Sequence, residues 1–380
     1  MQLTYLHIRN FKSIRDMELT EIDMALILVG KNNTGKTSVL DAVCAVCGCY
    51  EIQEKDFNEK RQAIRIDAAF AIGESDLELF RSMGRVSQYR RRDVWLRAFH
   101  ERLPSFKDGI LSFTLHVNQD GKVRYEDGFK KNNTHIVQAL PRIYRINAER
   151  ELNQLQSDML MFQEDEELRR LRSGACMFER AKECNHCFQC IGLINRKKPE
   201  QLTVFETARL LEYKIYQLNL SGFSEKVNEY FFKNGGYEEI QYTLKCDADQ
   251  LFAVEVTAYN RQRGSVKPVE LMGKGMRSIY MLSLLEAYIG EQSQIPSMIV
   301  VEDPEIFLHP QLQKSCSEIL YRLSKKNQVI FKTHSPDLLF NFSIRQIRQV
   351  VLDPERYSVV RKNADIGRFW TIWAMGPMIC

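Results

Sequence analysis

Residues 30 to 38 read Gly-Lys-Asn-Asn-Thr-Gly-Lys-Thr-Ser, and the apolar run Ala25-Leu26-Ile27-Leu28-Val29 precedes them directly. That order dictates local architecture. A buried strand delivers the chain to a tight turn, Gly30 and Gly35 let backbone N–H groups approach an anion, and a helix starting near Lys36 points its positive end at it. The pattern implies a bound nucleoside triphosphate. Gly30, Lys31, Asn32, Asn33, Thr34, Gly35, Lys36, Thr37 and Ser38 are the candidate phosphate-binding residues. Lys36 would reach the β- and γ-phosphates as a point charge, while the Thr37 hydroxyl would join a Mg²⁺ shell. The expected fold class is α/β, a P-loop nucleotide-binding fold.

At 380 residues the chain exceeds the usual single-core limit, so one large α/β domain carrying an insertion is expected. A net charge of +4 permits nucleic-acid contact without demanding it. Met1 to Asn10 lacks the apolar core of a signal peptide, and no run is long enough to span a membrane, which points to a cytoplasmic protein with no membrane partner. Ten cysteines in that setting argue for thiols or metal rather than disulfides.

Alternating apolar residues in 2–9 and the turn Asn10 to Ile14 suggest a strand pair ahead of the P-loop. The helix after it should run from Lys36 to Val46, with Val39, Leu40 and Val43 on its apolar face. Strands are expected at 63–72, 93–100 and 109–118, with Asn118-Gln119-Asp120-Gly121 as a hairpin turn, together forming an antiparallel sheet beside the nucleotide site. Pro141 to Ile146 is another short strand. Leu152, Leu155, Met159, Phe162, Leu168 and Leu171 recur at helical spacing, as do Leu202, Phe205, Leu210, Tyr213 and Leu218. These two helices form either an out-and-back arm or an ordinary packed pair. Gly235-Gly236 then returns the chain to strands at 239–246 and 251–260. The organisation read from this is an N-terminal lobe (1–148), a helical insertion (149–234), a C-terminal lobe (235–365) and a tail (366–380).

Ser297 to Glu305 reads as a buried strand ending in two adjacent acids, Glu302 and Asp303. One acid there can hold Mg²⁺ or its waters and the next can activate the attacking water, so Glu302 is the metal acid and Asp303 the base. Gln328 to Thr333 is a second short buried strand, ending at His334, where a histidine can hydrogen-bond the γ-phosphate or the water. Ligands of open α/β sheets collect at such strand ends.

Ile8-Arg9-Asn10-Phe11-Lys12-Ser13-Ile14, the P-loop, Glu302-Asp303-Pro304-Glu305 with Leu308-His309-Pro310, and Thr333-His334-Ser335-Pro336 together resemble the ABC-type ATPases of the SMC, RecF and OLD group. The resemblance implies an ABC-type head with a mixed central sheet and an antiparallel subdomain. It implies ATP and Mg²⁺ as cofactors, His334 as the switch histidine, Lys12 among the nucleotide-binding residues, and Leu308-His309-Pro310 at a segment crossing a dimer. Two ATPs would be sandwiched in a homodimer, each closed by a signature loop from the other subunit. Gly273-Lys274-Gly275 stands where that loop should be, with Lys274 in place of the usual small hydroxyl residue. The stretch Arg145 to Gln154 is the candidate glutamine loop. OLD-type proteins carry a C-terminal Toprim nuclease; after Leu352 only a short apolar tail remains here, so nuclease activity is not expected of this chain. The implied function is ATP hydrolysis coupled to DNA in repair or phage defence. The rivals are a slow, nucleotide-gated switch that assembles with a separate nuclease or other effector, and a non-enzymatic scaffold.

Cys176, Cys184, Cys187 and Cys190 give the spacing C-x7-C-x2-C-x2-C. Four thiolates so close can close a tetrahedral Zn²⁺ site, with His186 as a substitute for Cys176; an iron–sulfur cluster or plain thiols are the alternatives. Cys44, Cys47 and Cys49 lie behind the P-loop and read as packing. Arg90-Arg91-Arg92 and Arg169-Arg170-Leu171-Arg172 can track a phosphate backbone or simply form a solvated face.

Overall fold

The computed structural model describes residues 1–147, 176–178, 184–185, 187–217, 221–233, 256–260, 264–291 and 297–361. The helical segment from Leu152 to Leu171, the arginines at 169–172, His186, the strand at 239–246 and the tail at 366–380 lie outside the described residues. By their internal contacts Met1–Leu152 and Glu270–Cys380 form one compact unit and Asn153–Val269 another.

The chain opens with β1 (Gln2–Phe11), β2 (Ile14–Leu19) and β3 (Ala25–Val29), followed by α1 (Lys36–Val46). Next come β4 (Ile64–Ala71), α2 (Glu74–Ser82) and α3 (Arg92–Arg102). β5 (Phe106–Lys107), β6 (Ile110–Val117), β7 (Val123–Glu126), α4 (His135–Ala139) and β8 (Arg142–Ile146) complete this stretch. The second unit supplies α5 (Ile191–Ile194), α6 (Val204–Gln217), α7 (Ser221–Lys233), β9 (Thr257–Asn260) and β10 (Ser265–Pro268). The first unit resumes with α8 (Lys274–Glu291), β11 (Ser297–Glu302), α9 (Pro310–Ser324), β12 (Gln328–Thr333), β13 (Ile347–Leu352) and β14 (Ser358–Arg361).

Two sheets build the first unit. The antiparallel one runs β2-β1-β4-β6-β5, with β7 on β6, as the alternation of its strands leads one to expect. The mixed one runs β14-β13-β3-β12-β11-β8; its pairs are parallel apart from antiparallel β13–β14. Every residue of β3 and β11 is buried, the signature of parallel strands covered on both faces. Leu26 and Leu28 of β3, Val39, Leu40 and Val43 of α1, and Leu6, Ile8 and Ile66 of the antiparallel sheet share one apolar core.

A buried amide helps to link the sheets. Gln328 is fully buried at the start of β12; its side chain accepts from Leu3 N (2.7 Å) and donates to Leu3 O (2.8 Å) and Asp23 O (2.9 Å). It satisfies backbone groups of β1 where the antiparallel sheet meets the mixed one.

One segment departs from expectation. Residues 93–100 form α3 rather than a strand. Aromatic and β-branched content suggested extension, yet Trp95, Ala98, Phe99 and Leu103 are the buried positions, a spacing only a helix can place on one face. Trp95 donates its indole N–H to Ser87 O (3.1 Å) and stacks near Phe99, so tertiary packing overrides local propensity. The hairpin turn at 118–121 is present, joining paired β6 and β7.

In the second unit α5 buries Cys190, Ile191 and Ile194 against Met177, Phe188, Leu202, Leu210 and Tyr213. A buried ion pair, Arg209–Glu212 (2.6 Å), lies on α6, and β9 and β10 form an antiparallel pair.

Replacing Gln328 by alanine strands the Leu3 N–H and C=O in the interior. The expected cost is about 2–4 kcal/mol of unfolding free energy by chemical denaturation; a loss under about 1 kcal/mol would mean that the Gln328 amide contributes little to joining the sheets.

Candidate nucleotide site

The P-loop folds as its residues require. β3 ends at Val29, the turn follows, and α1 begins at Lys36 with Gly35 as its left-handed N-cap (φ 94°). A Cβ at Gly35 would overlap the hydroxyls of Ser13 and Ser358, so this position takes no side chain. Ser358 Oγ donates to Ser13 Oγ (2.7 Å), and Ser13 lies 3.2 Å from Ser38 Oγ. Residues from β2's approach, α1 and β14 therefore brace the loop. The Lys36 ammonium donates to the carbonyls of Gly30 (3.0 Å) and Lys31 (2.6 Å), which hold it folded over the turn.

An open cleft of about 630 Å³ lies over the helix start, lined by Ser13, Asn32 to Ser38, Asp303, Glu305, Ile306, Lys332 and His334. Its volume falls in the range of nucleotide-sized ligand sites. The sheet explains the assembly: β12 pairs in parallel with both β3 and β11, so the residues that follow all three strands emerge on one edge. P-loop, acids and histidine, separated by some three hundred positions in sequence, meet there.

The candidate residues divide as follows. Lys36, Thr37, Asp303 and His334 line the cleft, whereas Gly30 and Lys31 serve it through their carbonyls. Glu302 sits behind the lining, where Arg145 of β8 donates to its Oε1 (2.6 and 3.1 Å) and to Asp41 Oδ1 of α1 (2.6 Å). Lys12 is absent from the cleft lining; its ammonium turns to Asp41 (2.5 Å) and lies over the Tyr50 ring. Gly273, Lys274 and Gly275 also lie outside the lining: Lys274 is exposed at the start of α8 with its ammonium 4.5 Å from the Phe307 ring centre. Gly275 packs so closely on the Phe307 carbonyl that a Cβ would overlap it. Of the candidate glutamine loop, Arg145 to Asn147 belong to the described residues.

Lys332, Glu305, Arg145 and Asp41 carry much of the geometry yet were not singled out as site residues from sequence. Lys332 Nζ donates to Thr37 Oγ1 (2.8 Å) and stands 3.0 Å from Asp303 Oδ2 and 3.3 Å from Glu302 Oε2. Glu305 accepts from the His334 backbone N–H (2.5 Å), and its Oε2 is buried with no hydrogen-bond partner. Asp303 itself adopts a left-handed backbone (φ 42°), a strained conformation typical of functional sites.

Electrostatics follow from burial. Desolvation pulls the Lys36 amine down to about 8 against Asp303 and Glu305, with Lys332 adding to the fall. Burial raises the Glu305 carboxyl above its ordinary value, its bond from His334 N opposing and the Asp303 charge adding. Burial, then Lys36 and Lys332, lower His334, so its imidazole is neutral near pH 7. A neutral imidazole and a carboxyl poised upward are groups able to move a proton.

Thr37, Glu302 and Asp303 offer a hydroxyl and two carboxylates, hard oxygen donors of the type magnesium takes. Their oxygens already converge on one cation, the Lys332 ammonium, which stands in for the ion. The donor set therefore fits magnesium.

The expected zinc centre finds no support among the described residues. Cys176, Cys184, Cys187 and Cys190 are all described, yet among the described residues no group of three or more His, Cys, Asp or Glu side chains is placed to hold a metal. Cys190 is buried ahead of α5, which pushes its thiol up, while Cys187 is exposed. Cys190 packs with Ile191 and Ile194 of α5, and the neighbouring Cys184 and Cys187 add to the upward push on its thiol.

Comparison with known proteins bears on the same residues. The sequence profile of the AAA ATPase domain family matches residues 1–339. An OLD nuclease from Thermus scotoductus is 23% identical over 363 residues, which cover 88% of this chain and 59% of that protein. Endonuclease GajA from Bacillus cereus is 24% identical over 149 residues, covering 37% of this chain and 25% of that one. The chain thus spans less than two thirds of the length of these relatives. An SMC head bound to the C-winged helix domain of ScpA superposes with a TM-score of 0.49 at 14% identity, covering 95% of this chain and 98% of that one.

The depressed Lys36 amine makes ATP affinity pH-dependent. Bound phosphate favours the ammonium and raises its pKa, so above about 8 binding takes up a proton and affinity falls as pH rises. At lower pH the amine is protonated in both states and adds no dependence. Calorimetric titration should show affinity about tenfold weaker at about pH 9 than at about pH 7. A flat profile would remove Lys36 from the phosphates.

Proposed function

The chain belongs to the AAA ATPase domain family, and on that footing we propose that it binds ATP in the cleft over α1, hydrolyses it with magnesium and dimerises around the nucleotide. One observation carries this reading: Lys36, Thr37, Asp303, Glu305 and His334, from three separate stretches of sequence, line a single cleft. Lys36 and the N–H groups at the start of α1 hold the phosphates. Thr37 and Glu302 would hold magnesium, which when bound would neutralise charge on the phosphates. Asp303 accepts the proton of the attacking water, and Glu305, with a buried unpartnered oxygen beside it, holds the His334 backbone in place. His334 presents a neutral ring at the rim to orient water or phosphate.

Dimerisation is supported by what the cleft lacks. It is open to solvent, and the exposed start of α8, the natural donor of N–H groups to an anion, supplies none of its lining residues. A second copy can bring that element to the nucleotide. DNA as the object of the cycle, in repair or phage defence, rests on the two relatives named as nucleases. The cysteine content is consistent with a reducing, cytoplasmic setting. Among the described residues no helix is long and apolar enough to cross a membrane.

A second reading, a slow switch that assembles with a separate effector, is favoured by Lys274. Its ammonium is longer than the small hydroxyl expected there and rests on Phe307.

Asp303→Asn should leave ATP bound while turnover drops at least about a hundredfold, the usual contribution of a general base. Unchanged turnover would move that role to Glu305. In the same variant, light scattering should show a dimer with ATP and a monomer without it. A monomer under saturating ATP would refute assembly around nucleotide. If turnover rises in Lys274→Ser, the switch reading gains its brake.

A further inference from the structure

The position a divalent ion would take is held by a residue of the protein itself. Lys332 is 13% exposed and extends from β12 between β3 and β11, in register with Glu302 on one side and Leu28 on the other. Its ammonium touches each oxygen around that position: Thr37 Oγ1 at 2.8 Å, Asp303 Oδ2 at 3.0 Å and Glu302 Oε2 at 3.3 Å. Magnesium needs oxygens at about 2.1 Å in near-octahedral array, so these are spaced for an ammonium, and the two cations exclude each other.

Charge accounting favours a cation at this position. Behind the cleft, Asp41, Asp56, Glu302 and Asp303 face Lys12, Arg145 and Lys332, four carboxylates against three cations. The cluster is one charge negative as it stands. A divalent ion added beside Lys332 would make it net positive at low dielectric, unless Lys332 moves out or the nucleotide brings in further negative charge.

We propose that Lys332 is a built-in cation at the metal position, so that the nucleotide-free protein excludes divalent ions and ATP binds without one. The proposal rests on the reading of the cleft as an ATP site. Metal enters only with or after the phosphates, by displacing the ammonium. Nucleotide binding is thereby uncoupled from magnesium, whereas hydrolysis is not.

Two measurements test this on the full chain. In the first, calorimetry follows ATP binding in EDTA and in magnesium for wild type, Lys332→Met and Lys332→Arg, with thermal melting to confirm folding. Wild type and Lys332→Arg should differ by less than about threefold between the two conditions. Lys332→Met should lose about tenfold in EDTA and regain it with magnesium. Equal magnesium dependence in wild type and Lys332→Met overturns the proposal. In the second, electron paramagnetic resonance follows Mn²⁺ binding without nucleotide. Wild type should bind at least about tenfold more weakly than Lys332→Met. Micromolar Mn²⁺ binding by nucleotide-free wild type overturns the proposal whether or not any variant folds. Absence of ATP binding under every condition would instead defeat the ATP reading, and the manganese result would still decide the role of the lysine.

Discussion

Parallel pairing of β12 between β3 and β11 is the constraint from which the site follows. Strands that run the same way deliver their C-terminal ends to one edge, and there the chain must satisfy whatever polar groups it has brought. Val29 releases the P-loop, Glu302 the acids and Thr333 the histidine. A slip of β12 by one residue would send Lys332 to the opposite face and put Phe331 among the carboxylates. Register is therefore a functional quantity here. Gln328 helps set it, because its amide reaches Leu3 and Asp23 from one position only.

The charges at that edge form a connected set rather than a row of pairs. Arg145 joins β8 to α1 and β11 by binding both Asp41 and Glu302; Lys12 reaches the other oxygen of Asp41 from the turn after β1. Breaking one member leaves another buried without compensation, which costs far more than a surface ion pair is worth. It follows that Lys12 and Arg145 fix the placement of α1 and Glu302. Neither lines the cleft.

How much of this was legible in the sequence depends on the range of the signal. The P-loop and α1 are local: strand, glycines and helix start within fifteen residues, and their boundaries fall where the pattern puts them. The acidic and histidine strands are legible for the same reason, each a short apolar run with its functional group at the end. Lys332 and Arg145 are not. Their partners lie 295 and 157 positions away, so nothing adjacent marks either as special. Helix α3 was misread because aromatic residues score as strand until tertiary contacts choose which of them to bury. The cysteines show a different limit: close spacing is a local signal, but ligation needs four side chains to face one point, which spacing alone does not fix.

The charges around the cleft suit an anion. Lys36 is buried deeply enough to lower its amine to about 8, and backbone carbonyls alone hold it in place. Phosphate would supply the charge partner that burial withholds, so binding recovers electrostatic energy stored on folding. The acids across the cleft oppose this, and an uncovered Asp303–Glu305 pair would repel a polyphosphate. Lys332 resolves the conflict: it shields Asp303 at 3.0 Å, while burial favours the protonated form of Glu305. The cleft thus combines a desolvated cation on the phosphate side with screened carboxylates on the water side. That asymmetry is what a site must have if it is to attract a phosphate chain and still keep a base beside it.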